Sequence, residues 1–366
     1  MKIIYLLKKG LQCYPPCLTQ ILFLNDLKVD MEVYHGKNSN FVNELLDGRG
    51  IIHHTFQMDR DNKNIFESAL NFISFGIEAK KIQKNFQTGT ILWIGNMETA
   101  MSLDIRRLKN SRFILNVLEL YNEDTLYDKW LIHNAKYAEV IIACEKHRAA
   151  IMQSRYELAE LPQILPNKPY EIEYSNSNVA DEIKSLLEEK FVVVYQGIIS
   201  KDRPLEAVAK ALTKYNDSEI VFLIMGACSE KYQLIIKEIY NNTFFTGFIP
   251  APEHLEYTKY CNLGIANYDV SSLNNVFCAP NKIFEYAKYG IPMLCSRNIA
   301  LEETVGYFKA GCCIDFNDVD CIVESISEIK TNFNEYSGNA EAFYENCNMK
   351  ALIEQIVRRI TLKNEY

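Results

Sequence analysis

The chain of 366 residues has no CxxC pair and no Cys/His spacing of the kind that holds zinc, and its eleven cysteines are an odd, scattered set. That pattern excludes a disulfide-stapled scaffold and fits reduced, mostly buried thiols of a cytosolic protein. Cys13 and Cys17, four apart around Pro15 and Pro16, read first as ordinary thiols. The six histidines, with His53 and His54 adjacent, show no ligand spacing, so no metal site is expected. With 15 Gly and 10 Pro, the chain has too few breakers for long disordered regions. Apolar runs such as Ile220–Met225 fall far short of the roughly 20 residues that span a bilayer. The opening MKIIYLLKKG reads as a first strand rather than a secretory leader, because its apolar run stops at Lys8 and Lys9. A net charge of −8 with no basic-aromatic motif argues against nucleic acid as a partner. No GxGxxG follows the first strand, so the dinucleotide fingerprint is missing.

What is present is alternation. Apolar runs at 2–7, 29–34, 51–55, 90–94, 113–117 and 140–143 predict strands. Helical patterns lie between them, from Pro15 or Pro16 to about Leu27, over 65–86, over 97–102 and from near Glu145. Strands alternating with helices at this spacing imply βαβ units and a doubly wound parallel sheet. Ligands of such sheets sit outside the carboxyl ends of the strands, which puts Gly10, Asn96, Glu98 and Glu119 beside any site. Leu165-Pro166-Asn167-Lys168-Pro169 then breaks the pattern, and it begins again with strands at 191–195, 220–225, 243–245 and 263–266. Helices are expected at 204–215, 253–260 and 319–330, with a further strand at 313–315. The division is therefore a first domain at 1–165, a linker at 166–178, a second domain at 179–345 and a closing amphipathic segment at 346–366 that could pack on either domain, the first included.

The most informative stretch is NNVFCAPNKIFEYAKYGIPMLCS, residues 274–296. It reads as a loop, a helix over 281–289, a stop at Gly290 and a strand over 291–295. Pro280 suits the start of a helix, where a missing N–H costs nothing, and Gly290 suits the left-handed position after it. Such a helix start favours phosphate. Glu285 could then take ribose hydroxyls, with a solvated helix glutamate as the plain alternative. Asn281 and Lys282 fall in the first turn, where a cation opposes the helix dipole unless an anion neutralises it. Arg203, in a loop before a helix, could fork onto phosphate oxygens, with Lys201 adding charge and Gly197 letting the backbone approach. Phe248 and Ile249 either flank a base or belong to the core. Glu119, just past a strand end, is a candidate base for an acceptor hydroxyl or simply a surface charge.

Tyr195-Gln196-Gly197, Asp202-Arg203-Pro204, Phe248-Ile249-Pro250 and above all PNKIFEYAKYGIPMLCS resemble the GT-B glycosyltransferases, in particular retaining, family 4-like (group 1) enzymes of surface polysaccharide synthesis. The resemblance covers most of the second domain. It implies an α/β fold of two facing Rossmann-like domains with a cleft between them, the acceptor on the first and a UDP- or GDP-sugar on the second. It further implies that Glu285 binds ribose, that Arg203 and Lys282 neutralise the leaving diphosphate without metal, and that no cofactor beyond the donor is used. Phe277 stands where the family's other paired glutamate would be, so the full motif is absent. The expected reaction is sugar transfer in the cytoplasm to a glycan or lipid-linked acceptor. Lys80, Lys81 and Lys84 with Arg106, Arg107, Lys109 and Arg112 read as a solvated face or as peripheral contact with an anionic membrane. The alternatives are a sugar-nucleotide 2-epimerase and a non-catalytic partner subunit.

Overall fold

The computed structural model describes every residue except 57–64, 86–88, 173–178, 180, 200–203, 217–218 and 363–366. The chain divides into two compact units, one made of residues 1–170 with 348–366 and the other of 171–347.

The first unit is built on seven strands: β1 (Lys2–Leu7), β2 (Asp30–His35), β3 (Ile52–Thr55), β4 (Thr90–Ile94), β5 (Arg112–Val117), β6 (Val140–Ala143) and β7 (Gln163–Ile164). Their order is β3-β2-β1-β4-β5-β6-β7, and every pairing is parallel. The order reverses between β1 and β4, where doubly wound sheets open for a ligand. Both strands are continuous apolar runs because helices cover both faces of a parallel sheet. Tyr5 on β1 stacks on Trp93 on β4 at 5.9 Å, and both donate to Gln20 Oε1, at 2.7 and 3.1 Å. Cys17 lies buried on the Pro15–Asp26 helix and donates to the Gly95 carbonyl, with burial pushing its thiol up to about 12, whereas Cys13 is exposed.

The Met349–Leu362 helix belongs to this unit and buries Met349, Ile353, Ile356 and Ile360, a stripe at helical spacing. Arg112 serves it rather than a basic surface: its Nη2 donates to the Ile360 carbonyl at 2.5 Å and its Nε to Glu139 at 2.7 Å. The sequence reading of Arg112 as part of an exposed patch is corrected by these bonds, which leave it half-buried.

The second unit repeats the plan with six parallel strands: β8 (Phe191–Gln196), β9 (Ile220–Met225), β10 (Thr243–Gly247), β11 (Leu263–Ala266), β12 (Met293–Ser296) and β13 (Gly311–Ile314). Their order is β10-β9-β8-β11-β12-β13, with the reversal between β8 and β11. The α/β class and the two Rossmann-like sheets are as expected. The helices Asn40–Gly48, Leu126–Asn134, Asp181–Glu189, Glu230–Ile239 and Phe333–Asn346, several shorter turns and one strand are additions to the sequence reading. The Glu230–Ile239 helix buries only Ile236 and leaves Leu234 and Ile235 exposed, and the Phe333–Asn346 helix buries only Ala340, Phe343 and Tyr344. β7 is two residues long and lies just before the Pro-rich break.

Candidate active site

In the second unit the Asn281–Ala287 helix starts from Pro280 and is followed by Gly290 at φ +61, as its flanking residues require. It is buried almost all round. A Cβ at Gly264 on β11 would fall 2.3 Å from the Tyr286 ring, so only glycine lets this helix lie so close to the sheet. Its polar side chains therefore have to be satisfied inside the fold.

Glu285 is satisfied on one side only. Gln196 Nε2, at the end of β8, donates to Glu285 Oε2, and His254 Nε2 lies 3.4 Å from the same oxygen. Gln196 has no freedom to turn, because its Oε1 accepts from Thr258 Oγ1 at 2.8 Å. Among the described residues Oε1 of Glu285 makes no hydrogen bond. Burial pushes the Glu285 carboxyl up, but the charge and hydrogen bond of His254, with Gln196 and the nearby Lys282, outweigh it and hold the carboxyl below its usual value. Burial pushes His254 down, and the Glu285 carboxylate more than reverses that, so the imidazole is raised. Each group thus favours the charged form of the other.

Lys282, also buried, lays its Nζ 4.0 Å from the centre of the Tyr195 ring and 5.6 Å from that of Tyr268. A Cβ at Gly197 would sit 3.6 Å from that nitrogen. Gly197 has φ +122, and its carbonyl oxygen lies 2.1 Å from where a Gly226 Cβ would be. Two glycines thus bring the β8 and β9 ends together beside the cation. Asn281 is the first residue of the helix and is half-buried.

In the first unit, Asn96 caps the Met97–Ser102 helix, its Oδ1 accepting from Thr99 N at 2.9 Å. Glu98 pairs with Lys8 at 2.5 Å, and Gly10 fills a spot where a Cβ would meet the Lys37 carbonyl at 2.2 Å. Glu119 is 56% exposed, 3.9 Å from the buried Arg148. Between these carboxylates lies a set of tyrosines. Burial and then the Glu98 charge push Tyr14 up to about 12, and burial and then Glu119 raise Tyr121, which Tyr14 also raises. The Tyr121 and Tyr127 rings stand 4.8 Å apart.

Residues 178–346 match the family of glycosyl transferases group 1. The second unit is a group 1 glycosyltransferase domain. Solved structures share the fold of the whole chain. HepE of Anabaena, in complex with UDP and glucose, matches at a TM-score of 0.73 with 13% identity over 99% of each chain. Sucrose-phosphate synthase of Thermosynechococcus elongatus matches at 0.68 with 13% identity over 98% of each. A glycosyltransferase from Rickettsia africae matches at 0.67 with 12% identity, over 98% of this chain and 97% of that one. No curated protein matches the sequence.

Within the group 1 domain the structure brings Gly197, Lys282 and Glu285 together. Lys201 and Arg203 lie outside the described residues. Ile249 is half-buried and packs against the core, but Phe248 is not a core residue. It is 75% exposed, because β10 ends at Gly247 with φ +72 and the chain turns outward there. Phe277 closes the short Leu273–Val276 helix, half-buried. Sequence reading missed Gln196, His254 and Thr258 as partners of Glu285, and Tyr14, Tyr121 and Tyr127 in the first unit. For Gln196 its place at the end of β8 was a usable signal. His254, in a loop between β10 and β11, carried none.

Proposed function

We propose that the chain transfers a sugar from a UDP-sugar to a hydroxyl of a glycan or lipid-linked acceptor in surface polysaccharide synthesis, with retention and without metal. The observation that carries this reading is Glu285, anchored through Oε2 and unbonded at Oε1, in a group 1 domain with Lys282 and Gly197 beside it. A carboxylate held in this way accepts hydrogen bonds from the ribose hydroxyls through Oε1. UDP is chosen over GDP because HepE, of the same fold, has been solved with UDP and with UDP-glucose.

The bond from the sugar's anomeric carbon to the diphosphate breaks, and one from that carbon to the acceptor oxygen forms. Charge grows on the diphosphate as it leaves, and the fixed Lys282 cation stabilises it without reorganising. Phe248 and Ile249 flank the base. In the first unit Glu119 takes the proton of the acceptor hydroxyl, and the rings of Tyr14, Tyr121 and Tyr127 give the acceptor's sugar faces apolar surface to lie on. Asn96, Glu98 and Gly10 shape that surface.

The test is thermal shift with UDP, GDP, CMP and their sugars, followed by assay of UDP release with and without acceptor. UDP should raise the melting temperature of the wild type and leave Glu285→Ala unmoved while that variant stays folded. Donor binding that survives Glu285→Ala would sink the assignment.

A further inference from the structure

The Glu230–Ile239 helix of the second unit, between β9 and β10, has a locked inner face and an aliphatic outer one. Inward, Ile236 is fully buried. The Tyr232 hydroxyl accepts from the Leu205 N–H at 3.1 Å and donates to Glu206 Oε2 at 3.1 Å. Just past the helix, the Tyr240 hydroxyl donates to the Ile220 carbonyl at 2.9 Å. With these contacts fixed, the helix cannot roll. Outward, Lys231, Leu234, Ile235 and Glu238 are all exposed, Leu234 by 62% and Ile235 by 37%. Their helical spacing puts the four on one stripe, turned away from Ile236. A helix that faces only water carries polar side chains at the middle of such a stripe.

The charges of the stripe are set against their own helix. Lys231 lies in the first turn and Glu238 in the last, the ends where the helix dipole disfavours a cation and an anion. Glu230 and Lys237, which suit the dipole, lie to one side of the stripe. About 10.5 Å of helix separates Lys231 from Glu238, so the two cannot pair with each other. Among the described residues neither makes an ion pair. A second copy of the helix, laid antiparallel about a two-fold axis at the middle of the stripe, corrects both features at once. In that register Leu234 of each copy meets Ile235 of the other, and Lys231 of each meets Glu238 of the other.

We propose that this stripe is the two-fold interface of a homodimer. Leu234 and Ile235 of both copies pack at its centre, and two Lys231–Glu238 ion pairs, one at each end, fix the antiparallel register. The order of cation, aliphatic pair and anion is its own complement when reversed, and that selects a second copy of this chain as the occupant. One helix face per copy falls short of the roughly 1,200 Å² of a standard interface, so the dimer is a weak one that dissociates at roughly 10 to 100 μM. The interface stands apart from the transfer reaction and uses none of its residues.

The test is sedimentation velocity of the full chain at concentrations spanning that range. The wild type should pass from monomer to dimer as concentration rises. Lys231→Glu and Glu238→Lys each turn two attractive contacts into two repulsive ones, so each should weaken the dimer by at least about 10-fold. Lys231→Glu/Glu238→Lys restores opposite charges in the same register and should return dissociation to within about 3-fold of the wild type. Leu234→Ser/Ile235→Ser should stay monomeric throughout. The charge reversals suit the helix dipole and remove no inward contact, so these variants should melt no earlier than the wild-type monomer. If Leu234→Ser/Ile235→Ser melts early, the charge reversals alone carry the comparison. A wild type that stays monomeric, single reversals that dimerise like the wild type, or a double reversal as weak as the singles would overturn the proposal.

Discussion

Replacing His254 by Gln tests the electrostatic core of the site. The substitution keeps a hydrogen-bond donor near Glu285 Oε2 and removes the charge. His254 and Glu285 lie 3.4 Å apart with side chains only 12% and 10% exposed, so the remaining carboxylate stays buried with Gln196 and a more distant Lys282 as its support. Removing one partner of a buried pair costs about 3 to 5 kcal/mol, and the retained Gln196 bond puts this case at about 3 kcal/mol. The pH dependence gives a sharper reading. His254 is raised above its ordinary 6.5, so its contribution is complete below 6.5 and is lost as pH rises through the folded value. Glu285 is lowered below 4.5, so its contribution is complete above 4.5 and is lost as pH falls through the folded value. The pair therefore stabilises most between 4.5 and 6.5. Urea unfolding at pH 5.5, 7 and 9 should show the wild type losing stability toward alkali and His254→Gln losing much less. UDP affinity at pH 6 should fall about tenfold in the variant, because Glu285 is no longer held in one orientation. If the variant matches the wild type within about 0.5 kcal/mol at all three values, the ion pair is not what orders the site.

Lys282→Gln should lower kcat by roughly 100-fold with a folded protein, and EDTA should leave UDP release unchanged if the lysine stands in for a metal. A wild type stopped by EDTA would rule that out. Gly226→Ala places a methyl 2.1 Å from the Gly197 carbonyl oxygen, so it should cost more than about 2 kcal/mol in urea unfolding or leave no folded protein. Glu119→Gln should reduce kcat about 100-fold with the KM for donor unchanged; equal turnover would assign proton removal to another group.

Much of the fold was legible because its signals are local. Pro280 and Gly290 bracket a helix by what they forbid, and the apolar runs of β1, β4, β8 and β9 can only be strands buried on both faces. Glu285 could be placed from its neighbours in the same helix. Its partners could not, since Gln196 is 89 positions away and its choice of hydrogen bond depends on Thr258, which follows another strand. Glu98 shows the same limit: in sequence it is one more acid at a helix start, and only the parallel pairing of β1 with β4 brings Lys8 to it. Of the two readings of Phe248 the core one fails, because a single left-handed glycine decides which way a strand end points.

The Met349–Leu362 helix completes a body whose other residues end at Tyr170. On the ribosome, the apolar stripe of that helix emerges only after the whole of residues 171–347 has been made. At ordinary synthesis rates this is a wait of roughly 10 to 40 s, during which the first unit is exposed where Ile353, Ile356 and Ile360 will later cover it. The second unit, made without interruption, has everything it needs before the first is sealed. Damage to the last helix should therefore appear as aggregation of the half made first, while the second unit folds unharmed.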